Sequence, residues 1–168
     1  MGNNKIIANE DCSNLFANFT ALTEIENLGM LNTSKATDMS QMFANCYYLT
    51  SLDVSGFNTS NVANMYCMFY QCMRITEFIG IENFDTSNVL NMSGMFFVFG
   101  WYDANDGGSH FPILDISNFN IEKVETLECM FMGSTALETI YVSSDWNTTG
   151  KNTTDMFNQC GTNKVTVK

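Results

Sequence analysis

The sequence predicts an α/β repeat solenoid in which each coil contributes one short strand and one short helix, with a parallel sheet on one face. Three observations lead to this fold class: a phenylalanine that returns at a nearly constant interval, a helical spacing of apolar residues around it, and an alternating stretch that follows. One such coil cannot bury its own core, so the coils are expected to stack.

The recurring phenylalanine follows a methionine or a leucine. It returns after 27, 26, 27, 35 and 26 residues, and intervals of this size are typical of repeat proteins. The six pairs are Leu15-Phe16, Met42-Phe43, Met68-Phe69, Met95-Phe96, Met130-Phe131 and Met156-Phe157. The longest interval indicates an insertion at residues 97–111.

A helix N-cap residue type stands five positions before each of these phenylalanines. These residues are Asp11, Asp38, Asn64, Asn91, Thr126 and Asn152. Behind the cap, apolar residues fall at positions i, i+3, i+4 and i+7, as in Met65, Met68, Phe69 and Cys72. This spacing predicts a helix of about two turns in each coil, stabilised by packing rather than by its own propensity.

The second half of each repeat alternates between apolar and polar residues. In 49–55, Leu52 and Val54 share one face while Asp53 lies on the other, and 111–117 and 137–143 keep the same phase. Alternation predicts short strands with one wet face. We therefore expect one domain over 1–168, with an N-terminal cap at 1–21, four to five coils at 22–151 and a C-terminal cap at 152–168.

The repeat resembles a known bacterial motif. The stretch from Leu49 to Val62, closed by Asn64-Met65 and Met68-Phe69, is similar to the BspA-like leucine-rich repeats of bacterial surface proteins. The resemblance extends over residues 10–160 and implies a leucine-rich-repeat-like solenoid, display on the cell surface or secretion, and adhesion or protein binding. It implies no catalytic residues.

Composition narrows the possible partners. The net charge of −11 repels phosphate backbones, which argues against direct nucleic-acid binding and favours a protein partner with a basic patch. No apolar run approaches the roughly 18 residues of a membrane span. We expect a monomer whose location, cell surface or secreted, follows from the resemblance alone.

No enzyme, cofactor or metal site is predicted. His110 is the only histidine and stands near no recognisable nucleophile, so a catalytic triad is not expected. Cys12, Cys46, Cys72 and Cys160 fall on the predicted inward stripe. They are expected to be free and buried, and Cys67 and Cys129 are not expected to pair with each other.

The outward columns of the predicted strands give the candidate partner-binding residues. They comprise carboxylates toward one end, apolar residues toward the other, and two aromatic residues of the insertion. These are Glu24, Glu26, Asp53, Glu77, Asp115, Ile113, Tyr141, Trp101 and Tyr102. Whether the insertion binds or only covers the core stays open.

Two functions fit these observations. The first is a non-enzymatic, protein-binding module of the cell surface or the secreted space, acting in adhesion. The alternative is an intracellular acidic inhibitor, for example a phage-encoded nucleic-acid mimic that blocks a basic site on its target.

Overall fold

The structure, a computed structural model, describes residues 5–98 and 111–168 and contains seven short strands in that part. They are β1 (Ile6–Ile7), β2 (Leu31–Asn32), β3 (Ser51–Asp53), β4 (Glu77–Ile79), β5 (Ile113–Asp115), β6 (Thr139–Val142) and β7 (Thr166–Val167). All pairings are parallel: β1 with β2, β3 with β4, and β6 between β5 and β7.

The predicted α/β class, with a leucine-rich-repeat-like strand and helix in each coil, is wrong. Within 5–98 and 111–168 the only helices are two three-residue 3-10 helices, Leu28–Met30 and Ile81–Asn83. The segments predicted as helices are successive turns, which we call turn segments: 11–19, 38–46, 64–72, 91–98, 126–134 and 152–160.

Hydrogen bonding explains why these segments are not helical. The amides of Met39, Gln41 and Phe43 donate to carbonyls of the next turn segment, over 2.9, 2.8 and 3.0 Å. The intervening amides of Met42 and Ala44 donate three residues back, over 3.3 and 3.0 Å. An α-helix would direct every amide four residues back. Half of the donors are instead used between coils.

A left-handed backbone conformation recurs every four residues and produces this alternation. Gln41 has φ 55° and Asn45 has φ 62°, and the equivalent residues of other turn segments repeat these values. A right-handed helix excludes positive φ, and Gly, Asn and Asp tolerate it best. The other members are Asn14, Asn18, Cys67, Gln71, Gly94, Cys129, Gly133, Asp155 and Gln159.

The helical prediction failed because the four-residue period of the turns is close to the 3.6-residue period of an α-helix. Turns that recur every four residues place positions i, i+3, i+4 and i+7 on one side, as a helix of 3.6 residues per turn does. Met39, Met42, Phe43 and Cys46 are all fully buried, so the inward face was predicted correctly. Two turns are too few for the periods to diverge.

The described chain is a stack of coils, each with a corner, a turn segment and a strand. Parallel bridges join Asp11 to Asp38, and then in sequence Asn64, Asn91, Thr126 and Asn152. The side chain of each of these residues accepts the amide two residues on, for example Ser40 to Asp38 over 2.7 Å. The residues predicted as helix caps therefore form a ladder between coils.

Equivalent phenylalanines form a continuous column, and the expectation that Phe43, Phe69, Phe96 and Phe131 stack inside the core is confirmed. Ring centroids from Phe16 through Phe43, Phe69, Phe96 and Phe131 to Phe157 are separated by 5.4, 5.9, 5.6, 6.0 and 5.6 Å. All five pairs are stacked, an arrangement that adds to the free energy of burial. The column runs through every coil of the core.

Buried threonines link the corners. The Thr59 hydroxyl donates to the carbonyl of Asp85 over 2.9 Å and accepts the amide of Asp85 over 2.8 Å. Thr33 binds Asn58 in the same way, and Thr86 binds Asn120. Each buried hydroxyl thus bonds both backbone groups of one residue in the next coil, so the threonine oxygen is not buried without a partner.

Replacing Phe69 should be strongly destabilising. We expect Phe69→Ala to lower the free energy of unfolding by about 3–5 kcal/mol, because it removes the middle of the aromatic column. Denaturant unfolding measures this value. Leu90→Ala, at a position 42% exposed, is the control and should change stability little. Equal midpoints for the two variants would contradict the packing described.

A glycine substitution tests the left-handed positions. Gly94 has φ 63°, and a Cβ there would lie 2.8 Å from the sulfur of Cys67. We expect Gly94→Ala to cost about 1–2 kcal/mol for the backbone alone. Gly29 has no atom within 4 Å of an added Cβ, so Gly29→Ala should change stability by less than about 0.5 kcal/mol. Thermal unfolding of both variants compares them; a neutral Gly94→Ala would argue for an ordinary helix.

Candidate partner-binding face

The surface that the sequence singled out, which we call the strand face, is formed by the outward side chains of β3 to β6 together with Glu24 and Glu26 of the first coil. The strand predicted around Glu24 and Glu26 is wrong, because the structure has no strand at these two residues. The strand pairing places Ser51 beside Glu77 and Ile113 beside Thr139. It also places Asp115 beside Tyr141. Glu24, Glu26, Asp53, Glu77 and Ile113 are exposed, whereas Asp115 and Tyr141 are half-buried.

An acidic groove occupies the N-terminal part of the strand face. Glu24, Glu26 and Asp53 line it, together with the apolar side chains of Ile79 and Met30, which are 42% and 38% exposed. Its volume is about 660 Å³. No cation of the described residues forms an ion pair with these three carboxylates. The groove therefore combines free negative charge with exposed apolar surface.

Asp53 is held in its charged form by the turn that follows β3. The side chain and amide of Ser55 hydrogen bond to it, the amide at 3.0 Å, and they lower the pKa of the Asp53 carboxyl below its ordinary value. The same Asp-x-Ser arrangement lowers the pKa of Asp11 and of Asp85. The charge of Asp53 thus persists at mildly acidic pH.

A second groove lies between β4 and β5, where no strand pairing is present among the described residues. It is lined by Glu77, Ile113 and Asp115 at the rim and by Phe78 and Phe111 within. The rings of Phe78 and Phe111 meet edge to face with centroids 5.4 Å apart. The insertion thus coincides with an interruption of the sheet, and Ile113, 58% exposed, borders it.

Asp115 has a cation partner within the chain. Lys168, directly after β7, forms an ion pair with Asp115, and its ammonium lies 5.4 Å from the centroid of the Tyr141 ring. Burial acts to raise the pKa of Asp115, but hydrogen bonds from Lys168 and Ser117 outweigh it and lower the pKa. In the C-terminal part of the strand face, the charge of Asp115 is therefore offset by a cation of the same chain.

Two predicted binding residues have no described position. Trp101 and Tyr102 lie outside the described residues, as does His110. Within residues 5–98 and 111–168, no group of three or more His, Cys, Asp or Glu side chains is arranged to hold a metal ion.

Comparison with known families gives one match. The model of the family "Mycoplasma protein of unknown function, DUF285" matches residues 10–106 and 79–167, which together extend over most of the chain. The chain belongs to the DUF285 family. No curated protein and no solved structure matches it. The family description prints no function, so the strand face of this DUF285 chain is interpreted from its own residues.

Three residues of the strand face were missed by the sequence analysis. Ile79 stands beside Asp53 in the same column and could have been found by extending the alternation from Glu77. Met30 and Lys168 had no comparable signal, because neither lies in a regular strand repeat. No helix in the described part of this DUF285 chain is long and apolar enough to cross a membrane.

The cysteines of this DUF285 chain have no activated thiol. All six are free, as predicted. Burial raises the pKa of Cys46 to about 11 and that of Cys72 well above its ordinary value. The Cys46 and Cys72 thiols donate to the carbonyls of Phe16 and Phe43 over 3.1 and 3.2 Å. Neutral, hydrogen-bonded thiols of this kind are structural rather than nucleophilic.

These raised pKa values predict alkaline destabilisation. The folded state keeps its thiols protonated, while the unfolded chain releases their protons near pH 9. The contribution of the thiols to the free energy of unfolding is therefore fully present below pH 9 and is lost as pH rises toward 11. Denaturant unfolding at several pH values measures the fall, and Cys46→Ala should reduce its slope. Reducing agent should leave the melting temperature unchanged. A slope identical to wild type in Cys46→Ala would contradict this account.

Proposed function

We propose that this DUF285 chain is a non-enzymatic, protein-binding module that uses its strand face to bind a partner with a basic patch. The observation that supports this most is the acidic groove of Glu24, Glu26 and Asp53, with Ile79 and Met30 exposed in its walls. Carboxylates accelerate encounter with a basic surface, and apolar side chains slow its release.

The groove fits an extended, basic segment better than a compact small molecule. Its lining comes from three successive coils, which supply Glu24, Asp53 and Ile79, so the groove extends along the stack. The second groove, between β4 and β5, offers Ile113 and an aromatic floor beside it. A segment that crosses both would place its cations over the carboxylates and its apolar side chains over Ile79 and Ile113.

We further propose that the module acts at the cell surface or after secretion, in adhesion. The support is the sequence resemblance to BspA-like repeats of bacterial surface proteins, carried by the motif from Leu49 to Val62. The family description names Mycoplasma proteins. The proposal concerns the surface role of those repeats and does not extend to their fold.

Charge reversal on two sides of the stack tests the strand face. Asp53→Lys with Glu77→Lys changes the net charge by four units on the strand face, and Glu122→Lys with Glu125→Lys makes the same change near a corner. We expect the first pair to reduce binding to proteins of the host-cell surface by roughly tenfold or more, mainly through slower association, and to weaken its dependence on salt. Surface plasmon resonance at two salt concentrations measures both rates.

Tyr141→Ala should mainly accelerate dissociation, and Trp101→Ala the same if the insertion takes part. Equal loss of binding in both charge-reversal pairs would show a response to net charge alone and would contradict the strand face. If the chain instead binds a nucleic-acid-binding protein, and duplex DNA displaces the chain from it, the result would support the acidic inhibitor. The net charge of −11 also favours that alternative.

A further inference from the structure

We propose that a corner of the stack binds a neutral carbohydrate. The site, which we call the corner pocket, lies between the corner at 117–122 and the corner of the next coil at 143–151. Its volume is about 620 Å³. The corner pocket is a different surface from the strand face, and the inference does not rest on the proposed function.

A break in the column of buried threonines lies at the corner pocket. Thr86, like the threonines before it in the column, bonds both backbone groups of one residue in the next coil, the carbonyl of Asn120 over 2.9 Å and its amide over 2.8 Å. The next member of the column is Ile121, which is 2% exposed and has no polar side-chain atom. Asn147, which is the equivalent of Asn120, therefore lacks this partner.

The backbone of Asn147 consequently has unpaired hydrogen-bonding groups. Neither its amide nor its carbonyl bonds another described residue, and Asn147 is an exposed member of the pocket lining. A second link is missing at the same corner. The Asn118 side chain donates to the carbonyls of Ile81 and Phe84 over 3.1 and 3.0 Å. Its equivalent in the next coil is Asp145, whose carboxylate can only accept.

The two coils are nevertheless joined on both sides of the corner pocket. On the strand side β5 pairs with β6, and the amide of Ile116 donates to the carbonyl of Tyr141 over 2.9 Å. On the side of the turn segments, the Lys151 ammonium donates to the carbonyls of Glu122 and Val124 over 3.1 and 2.8 Å. Because its walls are held by these bonds, the pocket needs little ordering when a ligand binds.

The lining offers donors and acceptors in fixed directions. The side-chain oxygen of Asn120 accepts the Glu122 amide over 2.8 Å, and that of Asn147 accepts the Thr149 amide over 3.0 Å. These bonds orient both asparagine side chains and leave their NH2 groups to donate. The Asp145 carboxylate has no partner among the described residues and provides a strong acceptor.

A sugar ring matches this combination of groups. Each sugar hydroxyl donates one hydrogen bond and accepts others. Neighbouring hydroxyls of one ring can therefore donate to Asp145 and accept from the side-chain amides of Asn120 and Asn147. The rim residues Glu122 and Asp145 are exposed, so a longer glycan could continue from the bound ring into solvent.

Other small ligands match the corner pocket less well. An anion would meet the carboxylates of Glu122 and Asp145, and the Lys151 ammonium is already bonded within the chain. Phe119 is 2% exposed, so its ring is not available to stack on a nucleobase. The volume is within the range of about 300–1,000 Å³ that is usual for small-molecule sites. We therefore expect one or two neutral sugar rings.

NMR titration of the 168-residue chain tests the corner pocket. The probes are galactose, mannose and N-acetylglucosamine, each added to about 50 mM, because binding through hydrogen bonds alone is expected at a Kd of about 1–10 mM. At least one of these sugars should shift the amide signals of Asn120, Glu122, Asn147 and Thr149 along a saturable curve. N-acetylneuraminic acid, which carries a carboxylate, should bind more weakly than that sugar.

Two variants and a control locate the binding. Ile121→Thr restores the threonine column, since threonine is buried at the equivalent position 86. It should slow hydrogen exchange of the Asn147 amide and weaken sugar binding roughly tenfold. Asp145→Asn removes the carboxylate acceptor and should weaken binding by a similar factor. Glu138→Gln removes the same charge at an exposed residue outside the pocket and should bind sugar as wild type does.

Several results would overturn the proposal. One is the absence of a saturable shift with all three neutral sugars, and another is tighter binding of N-acetylneuraminic acid than of any of them. Wild-type sugar binding by either Ile121→Thr or Asp145→Asn, once the spectrum of that variant shows the native fold, also overturns it. Shifts of the pocket amides with about 1 mM calcium chloride, and none with the sugars, would show a cation site instead.

Discussion

Every second amide of a turn segment donates to the coil that follows, and this ladder sets the register on which every column of the structure depends. The amides of Met65, Cys67 and Phe69 all donate to the next turn segment over 2.9 to 3.0 Å. Since each coil repeats the same left-handed positions, equivalent residues of successive coils lie beside one another. The aromatic column, the threonine column and the strand face are consequences of that register.

The ladder also determines which side chains can be buried. Several hydroxyl and thiol groups of the core donate to a carbonyl of a neighbouring coil. Ser134 donates to Phe96 over 2.8 Å, as Cys72 does to Phe43 over 3.2 Å in the equivalent column. A buried polar group without such a partner costs about 1–3 kcal/mol. Cys46 and Cys72 act as small donors of this kind, and burial also raises the pKa of both thiols.

Much of this organisation could be predicted from the sequence, because spacing alone identifies equivalent residues. The stacking of Phe43, Phe69 and Phe96 and the outward position of Asp53 follow directly from a repeat near 26 residues. The backbone conformation could not be deduced from apolar spacing, since four-residue turns and helices bury the same positions. The signal that separates them was present: Asn14, Asn18 and Gly94 occupy positions where a helix would favour better helix formers.

Repeat spacing predicts which residues share a column of the strand face, but it does not predict which of the charges there are paired. Register places Asp115 beside Tyr141. The ion pair between Lys168 and Asp115 depends instead on the position of the residue after β7, which repeat spacing does not encode. The exposed Ile79 was predictable, because it stands in the column of Asp53. Residues in regular positions can thus be assigned from sequence, whereas those supplied by irregular segments require coordinates.

The most direct test of the ladder is to detect the hydrogen bond from the Gln41 amide to the Tyr66 carbonyl, which is 2.8 Å long. NMR scalar coupling across hydrogen bonds reports which carbonyl each amide binds. The ladder predicts a coupling between the Gln41 nitrogen and the Tyr66 carbonyl carbon, together with the three-bond amide coupling of a positive φ at Gln41. Coupling from Gln41 to the carbonyl of Thr37, four residues back, would show a helix and would contradict the account.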